Sequence, residues 1–138
     1  MIDHDKYNLA YWLAKNAHKG QKYGDHDYFE YHVIGVASQF EKGSIESIIA
    51  LLHDTIEDTD VEFGVINSLF DWSIALPLMK LSRNLSFATS YHEYIDILSV
   101  NSAAKEVKKA DLRFHLSQKE IRNENRYRKA LAYLEALK

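Results

Sequence analysis

The chain of 138 residues contains no cysteine, only one proline and no long apolar run. Without cysteine, neither a disulfide framework nor a thiolate zinc site can form, so any metal ion must be bound by histidine, aspartate or glutamate. No apolar stretch approaches the roughly 20 residues that a membrane-spanning helix needs. The acidic start of the sequence also lacks the features of a signal peptide. We therefore expect a cytoplasmic protein without a membrane segment.

Basic residues are in the minority. Lysine and arginine total 17 against 20 aspartates and glutamates, which gives a formal net charge of −3. General binding to a nucleic-acid backbone needs a positive surface, and only the basic face of the last predicted helix supports such a role. A hydrophobic content of 46% and a charged content of 27% are typical of a globular protein. At this length we expect one domain over residues 1–138.

The apolar periodicity is helical along nearly the whole chain, and no segment predicts a strand. After a first helix that ends before Gly20, we expect helices over about residues 30–42, 44–56, 61–70, 72–83, 91–98, 102–116 and 117–137. Ser44 and Asp71 are predicted N-caps. The predicted apolar stripe of the first helix consists of Leu9, Trp12, Leu13 and Ala17. The sequence thus predicts an all-α fold of about seven to eight helices, with a loop over residues 20–29.

A polar pair, His53-Asp54, ends the apolar run Ile48–Leu52, and Glu57 and Asp58 follow one turn later. Residues three or four apart share a face of a helix, so one continuous helix would bring these four polar side chains to one end. Burying such groups unpaired costs several kcal/mol. We therefore expect a metal ion or another cationic partner here, with a solvated helix end as the ordinary alternative.

Two distant residues can complete a divalent metal site with the pair. His32 lies on a predicted helix beside apolar residues, and Asp111 lies on another helix with an apolar side. With His53 and Asp54 they would form a site of two histidines and two carboxylates. An ion held there can polarise a phosphoryl group and lower the pKa of a coordinated water. The ordinary alternatives are a hydrogen-bonded core histidine at position 32 and a solvated Asp111 that pairs with Lys108 or His115.

Five segments together resemble a known family. Residues 51–59 closely match the segment LLHDxxEDT, while residues 17–21, 28–37, 79–83 and 107–117 resemble AHxGQ, YIxHPxxVA, TKLTR and VKxADLRHNLS. These segments are similar to those of the HD-domain metal-dependent phosphohydrolases. Within that family, the hydrolase domain of the RelA/SpoT proteins and the stand-alone small alarmone hydrolases are the most similar.

The resemblance implies an all-helical fold with one divalent ion, often manganese, although iron, zinc or magnesium also suit the ligands. The implied metal ligands are His32, His53, Asp54 and Asp111, and the implied catalytic acids that activate and orient water are Glu57 and Asp58. The implied substrate is a small nucleotide, guanosine tetra- or pentaphosphate, which loses its 3′-pyrophosphate. The alternatives are a phosphatase of a nicotinamide cofactor or a nucleoside monophosphate, and a module that senses a nucleotide without hydrolysing it.

The chain departs from the family beside the implied site. Tyr23 stands at the position of an arginine, Val33 at that of a proline and His115 at that of an asparagine. His115 can replace the asparagine in the pocket, act as a fifth metal ligand or lie on the helix surface. Charged donors suit phosphate oxygens. The candidate substrate contacts are Lys22, Tyr23, Lys80, Lys109, Arg113 and His115, and each charged one is otherwise a solvated surface residue.

Overall fold

A computed structural model describes residues 2–137. In chain order, its α-helices are α1 (His4–Ala17), α2 (Ile34–Ala37), α3 (Ile45–Leu52), α4 (Thr55–Asp58), α5 (Phe63–Leu69), α6 (Trp72–Leu81), α7 (Tyr91–Leu98), α8 (Ser102–Leu116) and α9 (Glu124–Ala136). A π-helical turn, Phe29–Val33, leads directly into α2, and a 3-10 turn, Arg83–Leu85, follows α6. The predicted all-α fold class is confirmed.

A short hairpin precedes the π-helical turn, where the sequence predicted a loop. Its strands are β1 (Lys22–Tyr23) and β2 (His26–Asp27), which pair antiparallel. Gly24 lies between them with φ +60°, a left-handed conformation that glycine adopts at little cost. The prediction of no strand was wrong because strands of two residues are too short to produce an alternating apolar pattern. The hairpin holds the ring of Tyr23 against that of His32, with centroids 5.3 Å apart.

Helix α3 lies at the centre of the fold. Its six residues from Ser47 to Leu52 are all buried, as expected for a helix that is enclosed on every side. It packs against α1, α2, α6 and α8. Ser44 caps it as predicted, since its side-chain oxygen accepts the Ser47 N–H at 3.1 Å. Because α3 is enclosed, the residue that follows it, His53, is also buried.

The helical run that was predicted to reach residue 56 is interrupted at His53 and Asp54. Asp54 has φ −105° and ψ 0°, in the bridge region between helix and extended backbone. The Thr55 hydroxyl donates to the Leu52 carbonyl at 2.8 Å and stabilises the turn. Helix α4 then starts anew, so the four polar side chains do not share one face of one helix.

Helix α8 runs over the predicted residues and carries Asp111 on its buried side. Asn101 caps it by accepting the Ala104 N–H at 2.9 Å. Helix α2 passes close to α8 at Gly35, where a Cβ atom would lie 2.3 Å from Cε2 of Phe114. This close approach brings the π-helical turn, and His32 within it, up to α8.

Three other details differ from the predictions. In α1 the fully buried residues are Ala10 and Ala14, and Leu9 and Leu13 are partly buried against the core, while Trp12 is 62% exposed, so the predicted stripe was wrong at Trp12. Helix α2 ends at Ala37 rather than at residue 42. Helix α9 begins at Glu124 rather than at residue 117, because Asn123 adopts φ +58°, which a continuous α-helix does not allow.

None of the described helices is long and apolar enough to cross a membrane.

Candidate metal centre

Four side chains from three parts of the chain converge beside the end of α3. The Nε2 atom of His32 lies 3.2 Å from Asp54 Oδ2 and 3.2 Å from Asp111 Oδ1. The Nε2 atom of His53 lies 3.0 Å and 3.5 Å from the same two oxygens. The structure therefore brings together the four residues that the sequence proposed as metal ligands.

The facing atoms of this group lack hydrogen-bond partners. Among the described residues, His32 Nε2, His53 Nε2 and Asp111 Oδ1 are buried with no such partner. Burial of polar atoms without partners is costly, so a missing partner is expected at this point. Nitrogen and oxygen ligands bound at roughly 2.0–2.2 Å to one ion lie about 3 Å apart when adjacent. The observed separations of 3.0–3.5 Å fit that requirement, and the donor set suits a divalent transition metal.

Neighbouring groups fix the orientation of the proposed ligands. His53 Nδ1 lies 2.5 Å from the Ala50 carbonyl oxygen; because a carbonyl only accepts, Nδ1 carries the proton and Nε2 faces the carboxylates. The Tyr28 hydroxyl donates to Asp54 Oδ2 at 2.5 Å. Such outer partners are typical of metal ligands, whose geometry and basicity they set.

Both carboxylates are held in the ionised state that binds cations. Burial alone would raise the pKa of Asp54, but His53 and His32 outweigh burial and keep this pKa well below its usual range. Burial of Asp111 is likewise outweighed, first by Lys108, whose Nζ lies 3.2 Å from Asp111 Oδ2. The two aspartates are therefore ionised at neutral pH, and, although burial lowers it, pairing with these aspartates raises the pKa of each histidine, so a bound metal ion has to displace the protons of His32 and His53.

A cavity of about 260 Å³ opens beside the four residues, and Glu57 and Asp58 line it. Partial burial, together with the carboxylates of Asp54 and Glu57, raises the pKa of Asp58 to about 6. Glu57 is held in place because its Oε2 accepts the backbone N–H of Arg83 at 2.9 Å. Two carboxyl groups thus stand at the wall of the cavity, next to the converging ligands.

Three cations that the sequence did not single out as phosphate contacts also line the cavity: Lys108, Arg83 and Arg126. The guanidinium carbons of Arg126 and Arg83 lie 4.1 Å and 5.2 Å from the centroid of the Tyr91 ring. The signal for Lys108 was present, since it lies three residues before Asp111 and thus on the same side of α8. Arg83 ends the segment 79–83 that resembles TKLTR, but only the packing of α6, α7 and α9 shows that it and Arg126 meet at the cavity.

The structure places four of the predicted substrate contacts away from the lining of the cavity: Lys22, Lys80, Lys109 and Arg113. Lys109 pairs with Glu106 at 2.9 Å, and Arg113 lies 3.6 Å from Glu135. Each of them is two positions from Asp111, and residues two apart point to opposite sides of a helix. Lys22 is exposed on β1.

The other two predicted contacts, Tyr23 and His115, lie at the centre of the site. His115 Nε2 is 3.2 Å from Asp111 Oδ1. The Tyr23 hydroxyl is 2.9 Å from His115 Nδ1. His115 also lines the cavity, whereas Tyr23 does not.

Comparisons with known proteins give a structural neighbour and no sequence match. No protein-family model and no curated protein matches the chain. A matching solved structure is that of a metazoan ortholog of SpoT that hydrolyses ppGpp and plays a role in starvation responses. The TM-score is 0.75 over 99% of this chain and 88% of that chain, at 21% sequence identity. The resemblance that the sequence motifs indicate is therefore confirmed at the level of the fold.

Proposed function

We propose that the chain is an HD-domain metal-dependent phosphohydrolase of a phosphorylated nucleotide, with removal of the 3′-pyrophosphate of guanosine tetraphosphate as the leading reaction. One observation carries the proposal: two histidines and two aspartates converge at 3.0–3.5 Å beside a cavity that two further acids line. The fold shared with a protein that hydrolyses ppGpp supports it.

In this proposal His32, His53, Asp54 and Asp111 hold one divalent ion. Manganese is the ion that the family resemblance favours. When bound, such an ion supplies a positive charge that polarises a phosphoryl oxygen and lowers the pKa of a coordinated water. The low pKa values of both aspartates support binding without prior deprotonation of the carboxylates.

Asp58 and Glu57 act on the attacking water. A carboxylate with a pKa of about 6 is a suitable proton acceptor at neutral pH, so Asp58 takes the proton of the water as the oxygen attacks phosphorus. Glu57, fixed by the Arg83 N–H, accepts a second hydrogen bond and orients that water. Two acids of this kind distinguish a hydrolase from a nucleotide sensor, which needs neither.

The cations of the cavity bind the phosphate groups. Lys108, Arg83 and Arg126 line the cavity and offer charged donors to phosphate oxygens. The rings of Tyr91 and Tyr127 also line the cavity, and the two arginines lie over the ring of Tyr91. A cavity of about 260 Å³ lies below the roughly 300–1,000 Å³ of typical ligand pockets, which suits phosphate groups inside and the base at the mouth.

The test is release of pyrophosphate or phosphate from a panel of nucleotides with manganese, with and without a chelator. We expect pyrophosphate from guanosine tetraphosphate and no release after chelation. Absence of turnover on every nucleotide by protein that demonstrably holds its ion would contradict the proposal, and recovery of tightly bound, intact nucleotide would identify a sensor instead.

Two departures from the family motifs, Tyr23 and His115, favour a second class of substrate. Tyr23 and His115 occupy family positions of an arginine and an asparagine, so the contacts to guanosine and pyrophosphate differ from those of the alarmone hydrolases. This favours a phosphatase of a nicotinamide cofactor or a nucleoside monophosphate as the alternative. Orthophosphate, rather than pyrophosphate, as the product of the same panel would identify it.

A further inference from the structure

A third histidine approaches the centre of the candidate metal site. His115 lies one turn after Asp111 on α8, and its ring stacks on that of His32 with centroids 4.9 Å apart. Its Nε2 is 3.2 Å from Asp111 Oδ1, the oxygen that His32 Nε2 also approaches at 3.2 Å. The possible ligand atoms of His32, Asp111 and His115 all lie within 4.8 Å of one another, as do those of His32, His53 and Asp54.

These two sets of possible ligands share His32. Its Nε2 approaches the carboxylate of each set, Asp54 in one and Asp111 in the other, at 3.2 Å. A ring nitrogen has a single lone pair and can bind only one ion. If both sets bind metal through this nitrogen, they therefore bind the same ion.

We infer that His115 is a fifth ligand of that ion, which is then held by three imidazoles and two carboxylates. The inference rests on the metal centre of the proposed function but not on any substrate or reaction. It assigns to His115 a role that differs from contact with the substrate, because its Nε2 faces Asp111 Oδ1, the oxygen that His32 also approaches.

Tyr23 positions the ring of His115. Its hydroxyl oxygen lies 2.9 Å from His115 Nδ1 and can accept a hydrogen bond from Nδ1–H. Nε2 then keeps its lone pair for the metal. The Ala50 carbonyl does the same for His53. The ring of Tyr127 stacks on His115 with centroids 5.3 Å apart and limits its rotation. Tyr23, at the family position of an arginine, thus orients His115, at the family position of an asparagine.

The expected consequence is a changed metal preference. Imidazole suits zinc, iron, cobalt and nickel, whereas magnesium prefers oxygen ligands. A third imidazole should therefore raise the affinity for zinc relative to that for magnesium. We expect the His115→Asn variant to lose zinc affinity by at least about tenfold with a much smaller change for magnesium, and Tyr23→Phe to lose about tenfold by removal of an outer partner.

The decisive measurement is the ¹⁵N chemical shift of the histidine ring nitrogens, recorded by NMR on metal-free and zinc-saturated protein. The signals of His115 are identified by their loss in His115→Asn. In the zinc-bound protein we expect His115 Nε2 to move to a metal-bound value while Nδ1 stays protonated, alongside the Nε2 atoms of His32 and His53.

The control variant is His92→Asn, which changes an exposed histidine of α7 and should leave zinc affinity unchanged. Circular dichroism of the metal-free variants verifies that each retains its helical content. If the His115 signals of the zinc-saturated protein keep their unbound values while those of His32 and His53 move, the fifth ligand is refuted and the four-ligand centre stands. If none of the three moves, the proposed centre itself fails.

Discussion

At the scale of single residues, a change of Asp58 tests whether water activation is separate from metal binding, as the proposed function requires. It lines the cavity next to the metal centre but lies outside the group of possible ligand atoms. Asp58→Asn should keep the ion and lower the rate by roughly 10²–10⁴-fold, the usual contribution of a general base. The measurement is the turnover number together with the metal content by elemental analysis.

The matched control for this change is Asp60→Asn, an exposed carboxyl two residues further along that does not line the cavity. It should leave the rate unchanged. Loss of metal in Asp58→Asn would show that this carboxylate is a ligand rather than a proton acceptor.

The pKa of Asp58 also predicts how the activity falls on the acidic side of the pH profile. Burial and two neighbouring carboxylates raise the pKa of Asp58 to about 6, and only its ionised form can accept a proton. Activity should therefore be full at higher pH and fall as the pH drops through about 6, or lower because a bound cation favours the ionised form. The measurement is kcat/KM against pH at saturating metal. If the residual activity of Asp58→Asn still falls at the same acidic pH as that of the unchanged protein, the titrating group is not Asp58.

At the scale of elements, the close approach of α2 to α8 determines whether the ligands meet. Gly35→Ala would place a Cβ atom 2.3 Å from Phe114, whose ring contacts that of His32 edge-on with centroids 4.8 Å apart. Overpacking of this kind costs about 1–3 kcal/mol. We expect a lower free energy of unfolding and a weaker affinity for metal, measured by urea denaturation and by metal titration.

Gly64→Ala is the control for this change, because nothing lies within 4 Å of a Cβ at that position in α5. Alanine should be neutral or stabilise the protein there by up to about 1 kcal/mol, since glycine is the poorer helix former. Equal losses of stability in both variants would mean that the contact between α2 and α8 has no special role.

Elements with clear local signals could be predicted from the sequence. Helices α7 and α8 have the predicted bounds because Ser90 and Asn101 cap them and their apolar residues recur with a helical period. The interruption at His53 and Asp54 could not be predicted, because it depends on a bridge-region backbone and on the Thr55 hydroxyl bond inside the fold. For the same reason, the motifs indicated the four converging side chains but not that Arg83 and Arg126 meet at the cavity, because only tertiary packing brings these two together.

At the scale of the whole molecule, the proposed metal centre would join three separate parts of the chain: the π-helical turn before α2, the break after α3, and α8. An ion bound to all three stabilises only the folded state. At a free metal concentration about 100 times the dissociation constant, binding adds about 2.7 kcal/mol. We therefore expect a chelator to lower the melting temperature by several degrees, measured by thermal denaturation followed by circular dichroism.

The His53→Ala variant provides the comparison for this stabilisation. It removes a ligand, so its melting temperature should be lower than that of the metal-bound protein and should no longer respond to metal or chelator. A chelator effect of the same size in His53→Ala would place the stabilising ion elsewhere on the molecule.

The most direct measurement is the anomalous diffraction of a crystal of the protein grown or soaked with manganese. We expect one strong anomalous peak within bonding distance, roughly 2.0–2.3 Å, of His32 Nε2, His53 Nε2 and the carboxylates of Asp54 and Asp111. A manganese ion bound away from these four side chains, or no ion between them at saturating concentration, would contradict the metal centre and the proposed hydrolysis that depends on it.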